Sequence, residues 1–147
     1  STDMDQDVMG IGRQIGCQLK EVQAVLRARM DEVLRPLGLT TPQYACLTAL
    51  EQTRGASNSE LARRAFVTRQ TMNVLLRGLE ARGLVARAEE APHGRARPVS
   101  LTGEGSALLI QAAEAVGVVV MRMVGSLDDA QRTDLHDALN SCIEALR

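Results

Sequence analysis

Arg69, Gln70, Asn73 and Arg77 lie on the polar side of one short amphipathic segment, and each carries a planar head able to make paired hydrogen bonds to a guanine or adenine edge. Thr68 and Thr71, at the start of the same segment, carry hydroxyls suited to a phosphate oxygen. A polar helix face is by itself most often just solvated. What changes the reading is the company it keeps, and that depends on the elements around it.

Ser57 and Glu60 form an S-x-x-E capping box, which starts a first short helix running through Leu61, Ala62 and Ala65. After a few residues of turn, Thr68 caps a second helix, roughly Arg69 to Arg82, whose Met72, Leu75, Leu76 and Leu79 recur at helical spacing and define a buried face. Gly83 follows its last turn, where a positive φ is needed. Two short apolar segments come next, Leu84 to Ala88 and Val99 to Leu101, separated by the polar loop Glu89 to Arg97 with Pro92, Gly94, Arg95 and Arg97. Pro98 has no backbone donor and fits an edge hairpin. Two helices followed by an arginine-tipped hairpin predict a winged helix-turn-helix that presents the second helix to DNA.

Charge agrees once it is counted locally. The whole chain of 147 residues carries a formal net charge of −1, but residues 57 to 103 hold eight arginines against four acids, a net of +4 that leaves −5 elsewhere. One surface is therefore built for phosphate, and the remainder keeps the chain soluble. Lys20 is the only lysine, and arginine's flat fork suits bidentate contacts. A GC-rich genome would also explain the arginine bias, though not its clustering.

The stretches LTTPQYACLTAL, SELARRAFVTRQTMNVLLRGLEARGLVAR and GRARPVSLTGEG resemble the MarR family of bacterial transcriptional regulators over most of the chain. The shared pieces are L-T-x-P-Q-Y opening one helix, L-E-x-x-G-L-V leaving the recognition helix, and V-x-L-T-x-x-G closing the wing. The resemblance implies that each recognition helix enters a major groove, with Arg69, Gln70 and Asn73 nearest the bases, while Arg95 reaches the adjacent minor groove. Arg63, Arg64, Arg87 and Arg97 would then meet phosphate. Arg77 is open to a second role, pairing with Glu80. One departure stands out: the family places an Asp two residues before the wing-tip arginine, and this chain has His93 there, so Arg95 would be oriented by another group, such as Glu89 or Glu90, or be less well fixed.

The chain is predicted to be mainly α, with about six helices. Val8, Ile11, Ile15, Leu19, Val22, Leu26, Met30 and Val33 mark a long first helix from about Val8 to Leu34, ended by Pro36 and Gly38. Thr41 is expected to cap a second helix with Pro42 at its first position, stopping near Gly55. Thr102 starts a helix that is apolar on more than one side, and Asp128 with Gln131 opens a last one with Leu135, Leu139, Cys142, Ile143 and Leu146 on a stripe. The expected division is a helical dimerisation region, residues 1–36 and 103–147, around a DNA-binding domain, residues 37–102. The family's habit implies a homodimer on a pseudo-palindromic, double-stranded operator, with repression as the default and release by a small aromatic acid or other effector.

For an aromatic acid, Arg13, Tyr44 and Met72 are candidates, although a Tyr and a Met at helical spacing are more often core. Cys17 lies roughly where redox-sensing members carry a reactive cysteine, but its tyrosine partners are missing. Cys17, Cys46 and Cys142 suggest reduced thiols rather than a disulfide framework. The only histidines, His93 and His136, are too dispersed for the zinc site of metal-responsive members. No motif for catalysis, cofactor or metal is expected. Gly10, Gly12 and Gly16 suit tight helix packing, a ligand cleft or a frayed end. The polar start is unlike a signal peptide, and no stretch is expected to reach a membrane span of about 20 apolar residues, so the expected location is cytoplasmic. A winged-helix module that binds protein instead of DNA is the rival class; its expected mark, an apolar or acidic recognition face, is missing here.

Overall fold

The computed structural model describes residues 2–89 and 98–147. The chain runs α1 (Thr2–Leu34), a 3-10 turn (Arg35–Leu37), α2 (Thr41–Gln52), α3 (Asn58–Arg64), α4 (Arg69–Ala81), β1 (Val85–Arg87), β2 (Val99–Leu101), α5 (Gly103–Val124) and α6 (Asp129–Leu146). The two strands pair antiparallel, with Val85 opposite Leu101, Ala86 opposite Ser100 and Arg87 opposite Val99. Ala88 N–H extends the ladder to the Pro98 carbonyl at 2.9 Å, and Pro98, having no N–H, returns no bond to Ala88, so the ladder ends there. Six helices and one hairpin match the architecture expected from the sequence.

Several boundaries differ. The first helix begins at Thr2 rather than near Val8, and passes Gly10, Gly12 and Gly16 unbroken, where an added Cβ would meet nothing within 4 Å. Thr40, not Thr41, caps α2: its hydroxyl accepts the Gln43 N–H at 3.3 Å while Gln43 Oε1 accepts the Thr40 N–H at 3.0 Å. Thr41 instead donates its hydroxyl to Asp31 on α1, tying the two helices together. Two adjacent threonines before a proline are locally equivalent, and the reciprocal glutamine decides between them.

One core holds these elements. It is formed by Leu34, Leu39, Cys46, Leu47, Leu50, Leu61, Met72, Leu76, Leu79, Leu84, Val85, Val99, Leu109, Ala112 and Val116, with Met30, Val33 and Leu108 packed against it. The last turns of α1 and the first half of α5 therefore belong to the same core as the helix-turn-helix. Beyond that core the apolar stripe is bare: Val8, Ile11, Ile15, Leu19 and Val22 on α1 and Val118, Met121 and Met123 on α5 are exposed, and α6 buries none of its residues.

By length and composition α5 could cross a membrane, with a mean hydropathy of 1.8. This corrects the expectation that no stretch approaches a span: Gln111, Glu114 and Arg122 interrupt the apolar run without lowering its average enough. Its Leu109, Ala112 and Val116 are core residues of this chain, and α1 packs along it.

Candidate nucleic-acid interface

Each end of the helix-turn-helix is fixed by a local hydrogen-bonded cap. Ser57 Oγ accepts the Glu60 N–H at 3.2 Å and Glu60 Oε1 accepts the Ser57 N–H at 3.4 Å, as the S-x-x-E spacing requires. Thr68 Oγ1 accepts the Thr71 N–H at 3.1 Å and donates its own proton to Thr71 Oγ1 at 3.0 Å. Thr68 is thus consumed by the cap, and the Thr71 hydroxyl is left to donate outward. At the other end of α4, Gly83 takes φ 75°, and Leu84 N–H returns to the Leu79 carbonyl at 3.0 Å.

The inward face of α4 is Met72, Leu76 and Leu79, all fully buried. Successive helical residues turn by about 100°, so the face opposite is centred on Gln70, Val74 and Arg77, with Arg69 and Asn73 at one flank. Gln70, Thr71, Arg69 and Arg77 are exposed. Asn73 is half-buried, and its Oδ1 accepts a 2.7 Å hydrogen bond from Asn58 Nδ2 at the start of α3. This contact braces the two helices and occupies part of the Asn73 amide that sequence had assigned to base edges.

Val74 was not singled out from the sequence, although its position was readable there. It lies four residues after Gln70 and three before Arg77, in the middle of a polar face, and is 59% exposed. An apolar side chain at that place is suited to the C5-methyl group of thymine.

The arginines divide by partner. Arg87 pairs with Glu80 at 3.3 Å, so Glu80 is not the partner of Arg77. Arg77 Nε instead leans on the Asn73 carbonyl at a marginal 3.5 Å, leaving the rest of its guanidinium free. Arg82 donates to the Gly38 carbonyl at 2.8 Å, joining the end of the recognition helix to the α1–α2 corner. That bond spans 44 positions, and nothing local signals it. Arg63, Arg64 and Arg69 are exposed and make no ion pair among the described residues, and α4 has no acid in its first turn to offset its positive end. Arg95 and Arg97, with His93 and Glu90, lie outside the described residues.

The effector candidates Arg13, Tyr44 and Met72 lie on three different helices, α1, α2 and α4. Met72 is fully buried, and the Cys46 thiol donates to its sulfur at 3.4 Å. Burial pushes that thiol from 9.0 up to about 12. Arg13 is exposed on α1 and Tyr44 is half-buried on α2. A cleft of about 380 Å³ opens elsewhere, between α1 and α5, lined by Val22, Val25, Leu26, Val119, Met123 and, at its polar edge, Glu21, Arg29 and Arg122. Cys17 and Cys142 are exposed. Among the described residues no three His, Cys, Asp or Glu side chains are grouped to hold a metal ion.

Comparison with known proteins agrees with this geometry. The family model described as MarR family matches residues 37–96. The HTH-type transcriptional repressor Rv2887 of Mycobacterium tuberculosis (strain ATCC 25618 / H37Rv) is 42% identical over 120 residues, which are 82% of this chain and 86% of that protein. The crystal structure of the M. tuberculosis MarR family protein Rv2887 in complex with DNA superposes with a TM-score of 0.71 at 39% identity, covering 86% of this chain and 95% of the other. Its complex with salicylic acid gives a TM-score of 0.71 at 41% identity, covering 86% and 94%. The chain belongs to the MarR family of winged helix-turn-helix transcriptional regulators.

Proposed function

We propose that this chain is a sequence-specific repressor that binds a pseudo-palindromic operator as a homodimer in the cytoplasm and is released by a small aromatic acid. The observation that carries the reading is the outward face of α4: a glutamine, a valine and an arginine at its centre, a threonine hydroxyl at its positive end that accepts from Thr68 and keeps its own proton to donate, and arginines beside it without an ion pair among the described residues. Gln70, Val74 and Arg77 would meet base edges, with Arg69 at the groove's rim. Thr71, Arg63 and Arg64 would meet phosphate, and Asn73 would serve as a brace as much as a reader. Arg95 would enter the minor groove, with Arg97 on its phosphates. Residues 37–102 would form the reader, and residues 1–36 and 103–147 would join the two copies.

The ligand reading draws on the salicylic acid complex of Rv2887. A carboxylate on an apolar ring has the chemistry of the α1–α5 cleft, where valine and methionine walls meet Arg122, which has no acidic partner among the described residues. Selection of duplexes from a random pool by the purified protein tests the DNA reading. An inverted repeat should emerge, bound tightly and with a strong dependence on salt. Salicylate should then weaken that binding in the wild-type protein and much less in Arg122→Met. Enrichment of no sequence would remove the proposal, and equal salicylate response in both proteins would remove the cleft from it.

A further inference from the structure

The turn between α3 and α4 holds a residue that folding does not explain. Val67 N–H bonds to the Ala62 carbonyl at 3.0 Å and Phe66 N–H to the Arg63 carbonyl at 3.3 Å, the two bonds of a Schellman ending. That ending puts Phe66 at φ 57°, the only positive φ outside glycine among the described residues. Glycine or asparagine suits this place, because a Cβ there crowds the backbone. The phenylalanine ring is also 95% exposed, so it gains nothing from burial in this chain. A single exposed apolar side chain needs no explanation, but exposure together with a left-handed backbone does.

Its neighbours indicate what covers it. Arg63 and Arg64 precede it, Thr68 and Arg69 follow it, all are exposed, and no acid occurs between Leu61 and Leu79. Whatever covers the ring must be anionic on both sides and apolar between. The deoxyribose of a DNA backbone, flanked by its phosphates, has that alternation. We propose that Phe66 is a DNA contact, its ring lying on a sugar of the backbone beside the groove that α4 enters. The inference rests on the DNA-binding reading above, and it adds a sequence-independent apolar contact to a surface otherwise held by charge.

The test replaces Phe66 in the full chain with Gly and, separately, with Asn, both at ease in the left-handed region, and with Leu, which keeps an apolar contact. Thermal unfolding and binding to two duplexes are measured across a salt series: one selected by the wild-type protein from a random pool, the other of unrelated sequence. Phe66→Gly and Phe66→Asn should leave Tm unchanged or raise it by up to about 4 °C. They should weaken binding to both duplexes by about tenfold, two rings being lost per dimer, with the salt slope unchanged because no charge is removed. Phe66→Leu should recover part of the loss. Wild-type affinity in the Gly and Asn variants would overturn the contact and leave the DNA reading standing, and an affinity loss that tracks a fall in Tm would assign Phe66 to the fold instead. A wild-type protein that binds neither duplex would remove both.

Discussion

In the proposed arrangement Gln70 and Val74 would carry the sequence preference and Thr71, Arg63 and Arg64 would carry affinity, so the two kinds of residue should separate by experiment. Gln70→Ala should cost about 1 to 3 kcal/mol per half-site on the selected operator and little on unrelated DNA, whereas Arg64→Ala should weaken both alike and lower the salt slope by about 2, two phosphate contacts being lost per dimer. Equal losses on both duplexes for both variants, in a titration at fixed salt, would overturn this division. The polar outward face of α4 was legible because residue types and helical spacing announce it; Val74 at its centre was not, because an apolar residue at helical spacing ordinarily marks a buried face. The Asn58–Asn73 brace was not legible, since two amides on different helices meet only after the turn has formed. Cys46 shows how environment overrides type. Its thiol stays protonated in the fold up to about pH 12, while the unfolded chain loses that proton near its ordinary 9.0. Between those values the folded state binds the extra proton, so stability falls as pH rises and is fully present below about pH 9. Urea unfolding at pH 8 and pH 10.5 should show wild type losing about 2 kcal/mol more over that interval than Cys46→Ala; parallel losses would show that the thiol does not titrate in this way.

At the scale of elements, three family motifs turn out to be local geometry. In L-T-x-P-Q-Y, Thr40 and Gln43 are the reciprocal cap of α2, and Leu39 anchors it in the core. In L-E-x-x-G-L-V, Glu80 holds Arg87 across to the hairpin, and Gly83 supplies the left-handed turn. In V-x-L-T-x-x-G, Thr102 caps α5, accepting the Gly105 N–H at 3.0 Å and donating to the Gly83 carbonyl at 2.7 Å. Gly105 then passes so close to β1 that an added Cβ would lie 1.9 Å from the Leu84 carbonyl oxygen. Since the obstacle is backbone, it has no side-chain rotation to yield by. Gly105→Ala should therefore cost about 3 kcal/mol in urea unfolding, while Gly103→Ala, in open space two residues earlier, should stay within about 0.5 kcal/mol of wild type. Caps like these were readable to within a residue because each lies within four residues of chain; only for α2 did the expected Thr41 give way to its neighbour Thr40. The bond from Arg82 to Gly38 was not, and neither was the start of α1, where Met4, one helical step before Val8, is a lone apolar residue among Asp3, Asp5 and Asp7.

The whole molecule has more apolar surface than one copy can cover. The bare stripe of α1, the outer side of α5 and the entire α6 lie beyond the core, and a chain with a soluble surface elsewhere would not retain them in water. In the proposed homodimer a second copy would supply matching helices, and a two-fold pairing would also set two recognition helices on one operator, so the same surface would answer a packing problem and a functional one. Obligate homodimer interfaces run above about 2,000 Å², and one of that size here would make folding and pairing one process. Tm should consequently rise with protein concentration, because association stabilises the folded state by mass action. Leu135→Asp together with Ile143→Asp places charge on the apolar stripe of α6 and leaves every residue of the reader untouched. Sedimentation of the wild type should give twice the chain mass, and the double variant should shift toward a single chain. Operator binding by the variant should fall by about a hundredfold or more, as two linked half-sites become one, with weak binding to a single half-site retained. A variant that remains paired would mean that the α6 stripe is not the pairing surface, and a wild type that sediments as one chain would mean that the bare helices have another occupant and that the operator is read by a single lobe.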